Sequence, residues 1–196
     1  MRITLFDYGA GNLHSLAKAL RGDGRSVVLE TDPHAALATD VLVLPGVGAF
    51  APAAAALAPA RRAMRDAMRG GLPTLGICLG MQLMFDASDE GAGAGLGVFA
   101  GRVTPIHAPQ LPQIGWNTLD EVTDPSIRAA RLDTAYYANS FVCRPTDAAV
   151  VTAWSSHGGD RFPAAVRTAR TLGVQFHPEK SSAPGVRFIQ SFLQSM

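Results

Sequence analysis

Residues 76–82 read Gly76-Ile77-Cys78-Leu79-Gly80-Met81-Gln82, with a cysteine between two glycines, after an apolar run and before a helical pattern. An isolated cysteine is most often a small buried hydrophobe. Glycines two residues before and two after it are typical of a nucleophile elbow, a sharp strand-to-helix turn that needs small residues at those places. Such a turn places the sulfur at a helix N-terminus, where free N–H groups favour the thiolate. The pattern therefore predicts that Cys78 is a reactive nucleophile.

The segments on either side of the elbow alternate between short apolar runs and helical patterns, which is typical of parallel βαβ units. Strands are predicted at 3–6, 27–29, 41–44 and 74–77, and helices at 13–22, 61–69 and 79–87. After the elbow the pattern changes to strands separated by short turns, at 136–142, 150–153, 164–168 and 172–176, before a closing helix that begins near Pro184. The sequence thus predicts an α/β fold whose mostly parallel sheet has an antiparallel extension.

Composition limits the class of protein. The chain has 196 residues, nothing in it is typical of an interdomain linker, and we expect one domain over 1–196 that buries roughly 70% of its unfolded surface. Two widely spaced cysteines and the absence of a signal-peptide pattern predict the reducing cytoplasm. A net charge of +1 with no basic block, and no apolar run of transmembrane length, argue against nucleic-acid and membrane partners.

A thiolate nucleophile needs a proton carrier, and the candidate is His177 in Gly173-Val174-Gln175-Phe176-His177-Pro178-Glu179-Lys180. A histidine at a strand end is more often an ordinary surface or capping residue. Here Pro178 stops the strand, so the turn can bring Glu179 back against the imidazole and form a Cys–His–Glu arrangement. The combination with the elbow is what favours catalysis.

A third motif, Pro45-Gly46-Val47-Gly48-Ala49-Phe50, follows a predicted strand. Pro-Gly is common in ordinary turns. Glycines also let main-chain N–H groups approach a substrate oxyanion, together with the N–H of Leu79 directly after the nucleophile. The motif alone is a weak indication of an oxyanion hole.

Taken in this order, the three motifs resemble those of class I glutamine amidotransferases. Four further stretches are similar to the glutaminase subunits of imidazole glycerol phosphate synthases, and the resemblance runs nearly end to end: Asp7 to Leu13, Ile114 to Asn117, Tyr136 to Phe141 and His157 to Val166. The resemblance implies a single-domain, flavodoxin-like fold of that family. It also implies glutamine hydrolysis without a metal or other cofactor.

The resemblance assigns roles to individual residues. Cys78 would attack the glutamine amide, His177 would protonate the departing ammonia and later activate water, and Glu179 would orient His177. The N–H groups near Val47, Gly48 and Leu79 would form the oxyanion hole. The amino-acid end of glutamine would be held by Gln82, Asn139, Ser140 and Phe141.

The resemblance also implies a partner, a cyclase subunit with a (β/α)₈ barrel that receives ammonia through a tunnel and makes imidazole glycerol phosphate and aminoimidazole carboxamide ribotide. Asn12 and Lys180 are the candidate interface residues, and a solvated surface lysine is the alternative for Lys180. The chain departs from the family pattern at Gln113, Asn139 and Phe141, where we expect changes in glutamine affinity or in communication along that strand.

Three alternatives remain open from the residues alone. The chain could be a glutaminase subunit for purine or pyridoxal phosphate synthesis, a catalytically silent binding module, or a flavodoxin-like protein with a redox-sensing thiol. The motif at Asp7 to Leu13 and the Ile-Gly-Trp-Asn stretch argue against the first, and the retained Cys78, His177 and Glu179 argue against the second. Glutamine turnover would separate a glutaminase from a redox sensor.

Overall fold

The central sheet is built from the short apolar runs that the sequence places between turns and helices. The computed structural model describes residues 1–9 and 13–196. Within them the strands are β1 (Arg2–Phe6), β2 (Ser26–Glu30), β3 (Val41–Leu44), β4 (Thr74–Ile77), β5 (Ala87–Ser88), β6 (Gly101–Pro105), β7 (Gln113–Thr118), β8 (Thr134–Asn139), β9 (Phe141–Pro145), β10 (Val151–His157), β11 (Asp160–Thr168) and β12 (Thr171–Val174). The α-helices are α1 (His14–Leu20), α2 (Phe50–Leu57), α3 (Arg61–Arg69), α4 (Leu79–Leu83), α5 (Pro125–Ala130) and α6 (Ser182–Gln194).

Seven strands form the central sheet, in the order β10-β11-β12-β4-β3-β1-β2. The five strands from β12 to β2 run parallel, whereas β10 and β11 join the edge as an antiparallel hairpin. Two smaller sheets, β5-β6-β9 and the β7-β8 ribbon, lie outside it. The predicted α/β class, with a mixed, mostly parallel sheet and an antiparallel extension, is confirmed.

Side chains on the two faces of the sheet enter two separate apolar cores. In β3, Val41 and Val43 pack with the helices α1, α5 and α6, and the alternate residues Leu42 and Leu44 pack with α2, α3 and α4. Because both faces are covered, the parallel strands are continuous apolar runs. This burial holds the carboxyl ends of neighbouring strands in register, which is what positions the site described below.

Two predicted elements end earlier than expected. The helix predicted at 79–87 stops at Leu83, because the carbonyl of Leu83 accepts from the N–H of Leu96 at 2.7 Å and that of Met84 accepts from the N–H of Val98 at 2.8 Å. These carbonyls are therefore unavailable for further helical hydrogen bonds. The chain at 136–142, expected to be one strand, breaks at Ser140 into β8 and β9, which pair in different sheets.

Several elements were not predicted from the sequence: α2, β5, β6, β7 and α5. Strand β7 has no continuous apolar run, because its buried and exposed residues alternate in a ribbon that packs on one face only. Over the described ranges, no helix combines the length and the hydropathy that crossing a membrane requires.

Candidate active site

The three motifs lie at the carboxyl ends of three neighbouring parallel strands. Strand β4 lies between β12 and β3, so Cys78 directly after β4 is flanked by the segments that follow the other two strands. The register aligns Ile77 with Val174, and the N–H of Cys78 donates to the carbonyl of Val174 at 2.7 Å. Ligands of open α/β sheets bind at such carboxyl ends. The sheet therefore brings together residues that are more than 100 positions apart in sequence, such as Gly46 and His177.

The backbone at Cys78 has the strained turn expected of a nucleophile elbow. Its φ of 47° and ψ of −104° are rare for a residue with a side chain. The flanking glycines are required by close packing: a Cβ on Gly80 would lie 2.0 Å from the carbonyl oxygen of Leu44, and one on Gly76 would lie 2.8 Å from that of Gly80. Side chains at either position would force the turn open, and backbone strain of this kind is typical of functional sites.

His177 and Glu179 form a buried pair on the turn after β12. A short 3₁₀ turn, Pro178–Lys180, folds Glu179 back so that its Oε1 lies 2.8 Å from Nδ1 of His177. Burial alone would lower the pKa of His177, but hydrogen bonds and charge interactions with Cys78 and Glu179 outweigh it and raise the pKa to about 10. The raised pKa favours the protonated imidazole, which is the form of the histidine that a thiolate–imidazolium pair needs.

Two amide side chains surround the thiol. The Gln175 amide donates to Sγ of Cys78 at 3.5 Å. The Gln82 amide lies behind it, and its Nε2 donates to Oε1 of Gln175 at 3.4 Å. Gln82 also donates to the carbonyl of Phe141 at 3.1 Å. Gln175 was not assigned a role from the sequence, although a polar residue within the apolar run 172–176 was a usable signal.

A cavity of about 170 Å³ opens beside the thiol, smaller than pockets for drug-sized ligands, which are roughly 300–1,000 Å³. Its lining includes seven of the sequence-predicted site residues: Gly48, Cys78, Leu79, Gln82, Asn139, Ser140 and Phe141. Gly48 has a φ of 100°. Gly46 also lines the cavity. Val47 is half-buried against the core and does not contribute to the lining. The arrangement brings the expected donors and the thiol to one small chamber.

Glu90 is a cavity residue that the sequence analysis missed. It is an exposed residue at the lining of the cavity. Burial raises its pKa, an effect that a hydrogen bond from the main-chain N–H of Phe50, at the start of α2, partly offsets. Its position in a glycine-rich loop between α4 and β6 carries no motif, so only the fold brings it to the thiol.

Of the two candidate interface residues, the structure describes Lys180 only. Lys180 is exposed next to the pair, and its Nζ lies 5.9 Å from the ring centroid of Tyr136. It therefore contacts the β7-β8 ribbon rather than the cavity. Asn12 lies outside the described residues.

Cys143 differs from Cys78 in its surroundings. It is a free thiol with no solvent exposure, and burial raises its pKa well above the usual range, which disfavours the reactive thiolate. In residues 1–9 and 13–196, no group of three or more His, Cys, Asp and Glu side chains could hold a metal ion. The ionisable side chains in or next to the cavity include those of Cys78, Glu90, His177 and Glu179.

Comparison with solved structures places this geometry on a known fold. A crystal structure of a glutamine amidotransferase matches with a TM-score of 0.73 at 19% identity, over 97% of both chains. The PurLQS structure from Thermotoga maritima matches with a TM-score of 0.72 at 20% identity, over 99% of this chain and 98% of that one. At these identities the likeness concerns the fold alone.

Sequence comparison is more specific. A family model described as glutamine amidotransferase class-I matches residues 4–196. Proteins named imidazole glycerol phosphate synthase subunit HisH are similar to the chain: that of Corynebacterium diphtheriae is 38% identical over 98% of both chains, and that of Zymomonas mobilis is 41% identical over 97% of this chain and 94% of its own length. The chain belongs to the class I glutamine amidotransferase family, among the glutaminase subunits of imidazole glycerol phosphate synthase.

Proposed function

We propose that this chain hydrolyses L-glutamine to glutamate and ammonia through Cys78, His177 and Glu179, and delivers the ammonia to a cyclase subunit in histidine biosynthesis. The observation that carries the proposal is the buried Cys78–His177–Glu179 arrangement beside a small cavity at the ends of adjacent strands. The names of the relatives favour this pathway over the purine and pyridoxal phosphate alternatives.

The chemistry follows from the charges. The Cys78 thiolate attacks the side-chain amide carbon, and main-chain N–H groups near Val47, Gly48 and Leu79 stabilise the oxyanion. The first N–H groups of a helix have no intrahelical acceptor, which leaves that of Leu79 free for this role. His177 gives its proton to the departing nitrogen, so that ammonia and a thioester form. It then takes a proton from water, which attacks the thioester and releases glutamate and the thiol.

The amino-acid end of glutamine carries one ammonium and one carboxylate. Glu90 is the cavity residue that suits the ammonium, because a carboxylate can form charge-assisted hydrogen bonds with an ammonium group. Gln82 is held against Phe141 and Gln175, so we assign it to hold the substrate with Asn139 and the segment at 140–141. The small size of the cavity would exclude amides larger than glutamine.

A partner surface is proposed on the outer face of the β7-β8 ribbon. Ile114 is 67% exposed and Trp116 is 55% exposed, and Trp116 packs edge-to-face on Tyr136. The Nζ of Lys180 lies 5.9 Å from the ring centroid of Tyr136. Exposed aromatic and aliphatic groups with a single cation are typical of an interface core. We assign this face to a cyclase subunit with a (β/α)₈ barrel, which performs the ring-forming step and releases imidazole glycerol phosphate and aminoimidazole carboxamide ribotide.

The test is to copurify the chain with the cyclase subunit and to measure glutamate formation with and without a cyclase substrate analogue. We expect slow turnover by the isolated chain and an increase of orders of magnitude in the liganded complex, because completing one oxyanion donor contributes roughly 3–4 kcal/mol. Full activity of the isolated chain would contradict partner control. Peroxide-dependent changes without glutamine turnover would favour a redox sensor. The two free thiols agree with the proposed cytoplasmic location.

A further inference from the structure

The hydroxyl group of Ser181 joins two chain segments that meet at the candidate active site. Ser181 is fully buried directly after the turn that carries Glu179. Its Oγ donates to the carbonyl of His177 at 2.7 Å and accepts from the N–H of Tyr136 at 2.9 Å. The N–H of His177 in turn donates to the carbonyl of Tyr136 at 2.8 Å. These three bonds close a ring between His177 and β8.

One side of this ring is an ordinary main-chain hydrogen bond, whereas the other exists only because a hydroxyl is inserted between two main-chain groups. Without the hydroxyl, the N–H of Tyr136 would lose this acceptor, and the carbonyl of His177 would keep the N–H of Lys180, at 3.0 Å, but lose its second donor. Solvent water could take the place of the hydroxyl as their partner only if the turn opened, because Ser181 has no solvent exposure. One of the two links between His177 and β8 therefore depends on one oxygen atom, and the other is the direct main-chain hydrogen bond.

The two segments carry different parts of the proposed reaction. His177 carries the imidazole, and β8 ends at Asn139, which lines the cavity. Tyr136, on the same strand, turns its ring to the outer face, where it contacts Trp116 and Lys180. The hydroxyl thus lies where the turn that carries His177 meets β8, close to the outer face of the β7-β8 ribbon.

We propose that Ser181 is a positioning residue that fixes the main chain of His177 against β8, and thereby sets the distance between the imidazole, Cys78 and a substrate held by that strand. The consequence for turnover rests on the proposed glutaminase function, whereas the geometric effect on His177 and Cys78 does not. A shift of roughly 1 Å in a reacting group can reduce turnover about 100-fold.

Helix α6 prevents the turn from adjusting in another direction. A Cβ on Gly185 would lie 2.1 Å from the carbonyl oxygen of Pro178 and 2.6 Å from Cβ of Ser181, so the backbone of the helix packs closely against the turn. Threonine at position 181 keeps the hydroxyl but adds a methyl group to this crowded place. Alanine removes the hydroxyl without adding bulk. The two variants therefore separate the hydrogen bonds from the packing.

The experiment compares Ser181→Ala and Ser181→Thr with Ser155→Ala in the complete complex with the cyclase subunit. Ser155 is a matched control, because it is also fully buried and its hydroxyl donates to a main-chain carbonyl, that of Thr118, at the far end of the ribbon from Asn139. We expect Ser181→Ala to lower kcat about 10- to 100-fold with KM within about threefold. Ser181→Thr should recover most of kcat although it melts at a lower temperature than Ser181→Ala.

A second readout does not require glutamine. Iodoacetamide alkylates an accessible thiolate, and the rate of Cys78 alkylation against pH reports its pairing with His177, since Cys143 is fully buried. We expect a displaced pH profile in Ser181→Ala and a wild-type profile in Ser155→Ala. If the wild-type complex shows no glutaminase activity, the proposed function fails and this profile alone decides the role of Ser181.

Three results would overturn the inference. One is a Ser181→Ala kcat within threefold of wild type. Another is an equal loss of kcat in Ser155→Ala, which would show a general effect of a lost buried hydroxyl. The third is an alkylation profile of Ser181→Ala that superimposes on that of wild type. Should Ser181→Thr not fold, the comparison of the two alanine variants still gives one of these answers.

Discussion

Gly46→Ala tests how tightly the imidazole is confined. A Cβ at position 46 would lie 2.9 Å from Cβ of Cys78, from Cε1 of His177 and from the carbonyl oxygen of Ile77. The Cys78 and Ile77 atoms belong to the elbow and the central strand, so the imidazole is the group that can move. Ordinary contact begins at 3.4 Å, and the required displacement is therefore roughly 0.5–1 Å.

Such a displacement predicts a loss of kcat of up to about 100-fold, or about 2.7 kcal/mol in activation free energy. The free energy of unfolding should decrease by about 1–3 kcal/mol, as expected for overpacking. Steady-state glutamine hydrolysis in the cyclase complex and urea denaturation measure the two effects. Gly22→Ala is the control, because a Cβ there approaches only the flexible Arg25 side chain, at 3.1 Å. A Gly46→Ala enzyme with kcat and KM within threefold of wild type would refute the confinement of His177.

Four further predictions concern the groups around the cavity. Cys78→Ser should abolish glutamine hydrolysis while the complex still assembles, whereas Cys143→Ala should retain turnover; a serine variant within tenfold of wild type would remove Cys78 from the mechanism. The pKa of His177, about 10 against 6.5 for an ordinary histidine, should fall in Cys78→Ala when followed by NMR. Because the pKa of His177 is raised, protonation of His177 stabilises the folded state fully below pH 6.5, and this stabilisation is lost as the pH rises towards 10. The free energy of unfolding should therefore decline over that interval, and less steeply in Cys78→Ala. Equal slopes of the free energy of unfolding against pH in the two proteins would contradict the pairing of His177 with Cys78. Glu90→Gln should raise KM for glutamine about 10-fold or more with a smaller change in kcat, since a hydrogen bond to a charged group contributes roughly 1.5–3 kcal/mol, and an unchanged KM would exclude an ammonium contact. Lys180→Ala should weaken cyclase binding or the ligand-stimulated rate, and if both are unchanged it is a surface lysine.

Local sequence patterns were sufficient for the parallel half of the fold. Strands β1, β3 and β4 are buried on both faces, and continuous apolar runs bounded by Pro, Gly or Asp identify such strands. The β7-β8 ribbon and the β5-β6-β9 sheet were harder to predict, because their strands are half-exposed and pair with distant segments. The break at Ser140 illustrates this, since nothing local separates β8 from β9.

For the site, motifs predicted residues whose chemistry depends on a local turn. The elbow needs Gly76 and Gly80 next to Cys78, and the fold-back of Glu179 needs Pro178, so both constraints lie within a few residues. Gln175 and Glu90 escaped prediction because their contacts to the thiol and the cavity are made across 97 residues and across a loop. Residue type alone does not indicate such contacts.

The sequence by itself predicted Cys78 as the candidate nucleophile, together with its elbow and the histidine–glutamate pair, because short-range steric and hydrogen-bonding demands restrict which residues these turns accept. Only the tertiary structure decided which groups share the cavity and how firmly the imidazole is held. The pairing of β12 with β4 brings His177 to Cys78, and one buried hydroxyl on Ser181 ties that turn to β8. These contacts arise from the register of strands far apart in sequence, and register depends on burial of whole faces rather than on any local pattern.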